Sequence, residues 1–263
     1  MDFIKMHGLG NDFIIVDQFA RQTIQDPAAL ARQLCSRRFS VGADGLVLVL
    51  PSDIAHARMR IFNPDGSEPE MCGNAIRCVA RFLYESGHVP LARLSVETLA
   101  GIMDISIRRE EGRFAAASVD MGAPELIARH DIDLKQTKVC FTAVSTGNPH
   151  AVTYSFQPTD AEFAEFGPYV ERHSLFPAGT NVEFCRVENP RHAHVKVWER
   201  GAGPTMACGT GATASFFTGV MDGLLERQAV MSLPGGDLEF EMLENGHVIM
   251  TGPAEEAFRG STK

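Results

Sequence analysis

A chain of 263 residues, 44% hydrophobic and 22% charged, is long and apolar enough for one large core or two modest ones, which excludes wholesale disorder. A net charge of -9 excludes a general nucleic-acid or anionic-membrane binder, because either needs a basic face. No apolar run reaches membrane-span length and Met1-Asp2-Phe3-Ile4-Lys5 is no secretion signal, so the expected setting is the cytoplasm, with the six cysteines reduced. Neither CxxC nor HExxH occurs, so a zinc centre has no support.

In chain order, the pattern predicts a strand over Asp2 to His7, a turn over Gly8-Leu9-Gly10-Asn11 and a second strand over Phe13 to Asp17. Leu30 and Leu34 stand at helical spacing in a segment from Pro27 to Phe39. The turn Gly42-Ala43-Asp44-Gly45 precedes Leu46 to Leu50, an apolar run too short for a helix and suited to a buried strand. Ile76, Val79, Ala80 and Leu83 predict a helix with one apolar face, stopped near Gly87. Short β-like pieces follow from Leu94 to Asp120, then a break at Met121-Gly122-Ala123-Pro124. Beyond it come a turn at Thr146 to His150, a helix over Ala161 to Glu171, strands over Asn181 to Cys185 and His194 to Trp198, and a helix over Gly209 to Gly223.

Two stretches share one plan. Arg60 to Ala75 laid on Lys196 to Gly211 places Phe62 on Trp198 and Cys72 on Cys208, each a short strand, a Gly-rich loop, then Cys-Gly opening a helix. Asn148 lies 137 positions after Asn11, Cys208 136 after Cys72, and Pro253 129 after Pro124. The chain is therefore expected to form two similar domains, residues 1–117 with 253–263 and residues 118–252, related by a pseudo-two-fold axis, with equivalent loops meeting at a ligand cleft.

A cysteine in the first turn of a helix is acidified by unpaired N–H groups and the helix dipole, and the same N–H groups can hold a carboxylate. Two such helix ends around one α-amino acid could invert its α-carbon, one thiolate removing the proton while a thiol on the other face delivers one. The charge that develops would spread onto the held carboxylate. A lone cysteine is usually a small core hydrophobe; equivalent places in two Gly-rich turns single out Cys72 and Cys208. Cys35, Cys78, Cys140 and Cys185 lack such turns and read as core. Gly209-Thr210-Gly211-Ala212-Thr213-Ala214 matches the dinucleotide fingerprint only in letters, since ten positions separate it from the strand ending near Glu199. Glu199 and Arg200 suit an ammonium and a carboxylate, or a plain strand-end ion pair. Asn11, Asn63, Asn148 and Asn181 are ordinary turn residues singly and a polar cage together. His150 could cap its turn or tune a thiol, and His192 and His194 read as surface residues.

His7 to Phe13, Phe62 to Cys78, Gly147-Asn148-Pro149-His150, Thr180 to Phe184, Glu199 to Gly203 and Ala207 to Gly211 resemble, in order and over nearly the whole chain, the diaminopimelate epimerase family. The resemblance implies an α/β fold of the α+β type, two pseudo-symmetric domains, each a β-barrel-like sheet around a central helix, with the active site in the cleft between them. It implies interconversion of LL- and meso-diaminopimelate without cofactor or metal, by a homodimer. By position, Cys72 and Cys208 are the acid/base thiols, with His150 and Glu199 supporting them. Gly73, Asn74, Gly209 and Thr210 hold the reacting carboxylate. Asn11, Asn63, Asn148, Asn181, Glu199 and Arg200 read the rest of the substrate. The chain departs from the family at Gly45, where some members carry Gln, at Pro204, where many carry Glu, and at Thr213, where Cys is frequent. A racemase of the same fold acting on histidine or a proline derivative is the alternative, and a non-catalytic binder of a small zwitterion is a rival from another class.

Overall fold

The computed structural model describes residues 1–262, which divide into two units: Met1–Val119 with the segment from Gly252 onward, and Asp120–Thr251. The first opens on β1 (Asp2–Gly8) and β2 (Asn11–Asp17), with Gly8 opposite Asn11. Leu9 and Gly10 join them at φ 56° and 84°. Two successive positive φ values make the primed turn whose twist suits a two-residue hairpin. That turn fixes Asn11 as the first residue of β2.

Helix α1 (Pro27–Leu34) starts where Asp26 accepts the Ala29 N–H and Pro27 fills the first turn, where no N–H is needed. It stops short of the expected Phe39. The N–H groups of Gly42 and Ala43 return to the Leu34 and Cys35 carbonyls, which buries Ala31 and Leu34 and leaves Phe39 in solvent. The crossover delivers β3 (Gly45–Leu50) parallel to β2, and β4 (Ala57–Phe62) then pairs antiparallel to β3. Helix α2 (Gly73–Glu85) makes a second crossover, to β5 (Arg93–Thr98), parallel to β4. β6 (Gly101–Glu110) and β7 (Arg113–Asp120) follow antiparallel, and the last strand, β17 (Glu255–Ser261), returns to β1. The sheet wraps α2, which packs against β1, β2, β4 and β6. Residues 73 to 80 are all buried, so α2 is enclosed on more than the one face its apolar pattern predicts. Ile76 and Leu83 each contribute about 2 kcal/mol by this burial.

The second unit repeats the plan. β8 (Glu125–Leu134) and β9 (Thr137–Ser145) form a hairpin, and β10 (Pro149–Thr153) pairs antiparallel to β9. Helix α3 (Asp160–Glu171), started by a capping box between Thr159 and Glu162, crosses to β11 (Asn181–Asn189), parallel to β10 with His150 opposite Asn181. β12 (His192–Glu199) follows, and two residues, β13 (Gly203–Pro204), fold back on its end. Helix α4 (Gly209–Met221) crosses to β14 (Gln228–Leu233), parallel to β12, and β15 (Gly236–Met242) and β16 (Val248–Gly252) complete the unit. α4 is apolar nearly all round, as a helix enclosed by β9 to β12, β14 and β15 must be. The chain is thus a sheet-rich α+β protein with a central helix in each unit.

Candidate active site

Cys72 is the N-cap of α2. Its backbone is extended (φ -142°, ψ 118°), while its carbonyl already accepts the Ile76 N–H at 3.0 Å. The N–H groups of the first turn have no intrahelical acceptor, which makes this end receptive to an anion. Cys72 Sγ lies 3.8 Å from Asn11 Oδ1, which also accepts the Asn74 side-chain amide at 3.0 Å. Asn11 donates to Asp44 Oδ2 at 2.8 Å. Asp44 is held by the Asp12 amide and by Arg37. Asp12 takes Lys5 at 2.6 Å and Arg37 at 2.7 Å. Burial would raise the Asp12 carboxyl, but Arg37 and Lys5 outweigh it and hold it at about 2.

Behind this lies a residue that no sequence signal singled out. Arg77 is wholly enclosed, and its guanidinium donates to Asn74 Oδ1 at 2.9 Å, the Gly73 carbonyl at 3.0 Å and the Pro253 carbonyl at 3.2 Å. Burial pushes its pKa down to about 10, opposed by interaction with the Cys78 and Cys72 sulfurs. A buried cation beside Cys72 favours the thiolate. The one local sign in the sequence is a charged residue set between the apolar Ile76 and Cys78.

Cys208 holds the corresponding place on α4, with φ -125°, ψ 108° and its carbonyl on the Ala212 N–H at 2.9 Å. Its sulfur accepts the Gly211 N–H at 3.4 Å and lies 3.5 Å from Thr210 Oγ1. Asn148 Nδ2 donates to Thr210 Oγ1 at 3.4 Å, and Asn148 Oδ1 meets the Thr146 hydroxyl and His150 Nε2, both at 3.0 Å. Glu199, at the end of β12, accepts the Thr205 hydroxyl at 2.5 Å across the β12–β13 hairpin. The helix-end argument expects an acidified thiol, yet the Cys208 thiol is pushed well above its ordinary value. Burial is the largest cause, then the Glu199 and Glu183 carboxylates, against the opposing bonds from Thr210 and Gly211.

The remaining candidates divide. Gly73 and Gly209 are the first residues of α2 and α4, and buried Asn74 belongs to the Cys72 cluster. Asn181 bridges backbone instead, donating to the Pro149 carbonyl at 3.0 Å and accepting the Arg200 N–H at 2.9 Å, while Arg200 reaches the Ala178 carbonyl at 3.0 Å. Asn63 is tied into its own turn by Ser67, side chain to side chain at 2.9 Å. A Cβ on Gly45 would stand 3.2 Å from the Phe62 carbonyl, so a larger residue there crowds β4. Thr213 turns its hydroxyl back to the Gly209 carbonyl at 2.8 Å, and Pro204 lies in β13. Cys35, Cys78 and Cys185 are buried as expected, whereas Cys140 is half-buried. His192 and His194 stand partly exposed on β12 beside Glu188. Among the described residues no helix is long and apolar enough to cross a membrane.

The family model described as diaminopimelate epimerase matches residues 3–127 and 142–256. A diaminopimelate epimerase of Desulfitobacterium hafniense is 50% identical over 277 residues, covering 99% of this chain and 97% of the relative. Among solved structures, a PhzF-family phenazine biosynthesis protein of Bacillus anthracis superposes with a TM-score of 0.75 at 18% identity, covering 99% of this chain and 98% of its own. A hydroxyproline epimerase of Agrobacterium vitis gives a TM-score of 0.73 at 16% identity, over 99% and 91% of the two chains. At such identities the two structures speak for the fold alone.

Proposed function

The chain belongs to the diaminopimelate epimerase family, and on that premise we propose that it interconverts LL- and meso-diaminopimelate by passing the α-proton between two thiols, Cys72 and Cys208. One observation carries the assignment of roles. The two cysteines cap equivalent helices, one near a buried guanidinium and the other near the Glu199 carboxylate. In the resting enzyme Cys72 is then the thiolate and Cys208 the thiol. From one stereoisomer Cys72 removes the α-proton and Cys208 delivers its own to the opposite face; from the other the roles exchange.

The carbanionic charge passes into the substrate carboxylate. There the first-turn N–H groups of α2 and α4, led by Gly73, Asn74, Gly209 and Thr210, serve as fixed donors and need no reorganisation during the reaction. Asn11, at the start of β2, meets the Cys72 sulfur, and Asn148, just before β10, reaches Cys208 through the Thr210 hydroxyl. Glu199 sets the electrostatics of Cys208 and His150 supports it through Asn148, while the family resemblance assigns Asn63, Asn181 and Arg200 to the substrate's amino and distal groups. The chemistry as written uses only the two thiols. Six free cysteines agree with a reducing cytoplasm as the working compartment, and a homodimer rests on the family resemblance.

A racemase of histidine or a proline derivative is the weaker reading, because the relative that shares half its residues bears the diaminopimelate name. The test incubates the enzyme with LL-diaminopimelate, L-histidine and L-proline and follows inversion by chiral chromatography. Inversion of diaminopimelate alone is expected. Inversion of histidine or proline with diaminopimelate untouched would overturn the substrate, and binding without inversion of any of them would overturn the enzyme.

A further inference from the structure

Glu183 has no part in the mechanism above, yet the second unit is built around it. It lies on β11, two residues past Asn181 and so on the same strand face, with its side chain wholly enclosed. One oxygen meets His150 Nδ1 at 2.7 Å; the other is buried and, among the described residues, has no partner. The first turn of α4 is shaped to it: a Cβ on Gly211 would stand 2.6 Å from Glu183 Oε1. An enclosed carboxyl left half satisfied is costly and calls for a reason.

Counting protons supplies one. A net negative charge in so dry a place is unfavourable, so Glu183 and His150 together hold two protons. With one of them shared across the 2.7 Å between Oε1 and Nδ1, the other falls to Nε2, which can donate it to Asn148 Oδ1 at 3.0 Å. That donation, with the Thr146 hydroxyl on the same oxygen, orients the Asn148 amide so that Nδ2 faces Thr210. Thr210 Oγ1 accepts there, and its single hydrogen is left to point at Cys208 Sγ. The sulfur then receives two donors, this hydroxyl and the Gly211 N–H, while its own proton stays available for transfer.

We propose that Glu183 is a positioning residue which, through His150 and Asn148, aims the Thr210 hydroxyl at Cys208 and so stabilises the thiolate left when Cys208 gives up its proton. The role rests on Cys208 being an acid/base thiol. Without the carboxyl, the single proton of a neutral His150 can move to Nδ1. Nε2 then becomes an acceptor, Asn148 turns its NH2 toward it, and Thr210 donates to Asn148 instead of to the sulfur.

The test is the rate of iodoacetamide labelling at Cys208 against pH, read by mass spectrometry of its peptide in a Cys72→Ser background, since only the thiolate reacts. Glu183→Gln keeps a donor on Nδ1 and a proton on Nε2, so labelling should match the parent. Glu183→Ala should slow it about tenfold at neutral pH, the change in thiolate fraction for one pKa unit. Acceleration in both variants would mean that Glu183 acts only as a bare charge; parent-like labelling in Glu183→Ala would mean that it does not act at all. Either result overturns the proposal. Should Glu183→Ala not fold, Thr210→Val breaks the last link and should slow labelling alike, and parent-like labelling there refutes the chain. Labelling needs no substrate, so a wrong substrate assignment would leave this result standing. In an active enzyme otherwise wild type, Glu183→Ala should lower kcat in the direction where Cys208 donates, with KM nearly unchanged.

Discussion

Cys72 and Cys208 each cap the second crossover helix of their own unit, yet their surroundings carry opposite charge. Behind Cys72 stands Arg77, reached through Asn74 and Asn11. Behind Cys208 stand Glu183, reached through Thr210, Asn148 and His150, and the carboxylate of Glu199. Where the backbone repeats so closely, a difference in resting protonation has to come from side chains. A reaction that starts with one base and one acid requires such a difference.

The contrast can be broken outright by Cys72→Ala or Cys208→Ala. Each should cost at least about 1000-fold in inversion, the scale of losing a proton-transfer group. Inversion retained in either variant, followed by chiral chromatography, would remove that thiol from the mechanism. Arg77→Met cancels the positive side alone: kcat/KM should fall about 100-fold, with Cys72 alkylated more slowly and Cys208 at its usual rate. The carbonyls of Gly73 and Pro253 would lose a donor, so stability should also drop by about 2 kcal/mol in a urea titration. Equal slowing at both cysteines would mean the charge is not local to Cys72.

Glu199→Gln weakens the negative side. Burial is the first cause of the raised Cys208 thiol and the Glu199 carboxylate the second, so the variant should lower that pKa. The acid must be protonated to donate, so activity is lost as pH rises through its pKa, and the alkaline limb of kcat/KM should begin at lower pH than in the parent. A limb that moves upward would reverse the sign assigned to Glu199. The mildest change in chemistry is expected from Asp12→Asn, which touches neither thiol. Breaking the bond to Lys5 should cost about 3 kcal/mol at neutral pH by thermal or urea unfolding. The Asp12 carboxyl is held at about 2, below its ordinary value of 3.8, so its contribution is present above 3.8 and is lost as pH falls toward 2. The parent and variant stability curves should therefore converge in that window.

Much of this was legible along the chain. Both cysteines could be placed at helix starts because the Gly-rich turn and Cys-Gly are local signals, as is the Leu9-Gly10 turn that sets Asn11. What escaped depends on distant partners. Arg77 finds Pro253 176 residues away. Glu183 meets His150 only through the parallel register of β10 and β11 across α3, which no period in the sequence announces. A strand of two residues such as β13 has no period either, so the bond from Thr205 to Glu199 could not be foreseen. The helix-end rule for thiols is itself local, and at Cys208 it yields to burial and to carboxylates brought in by β11 and β12.

The most direct test of two thiols with divided roles is the reaction in deuterium oxide, begun from each stereoisomer and stopped early. Deuterium at the inverted carbon of the product, with recovered substrate still protiated, is the predicted result from both sides. Deuterium entering substrate and product at equal rates would point to one group serving both faces and would contradict the account.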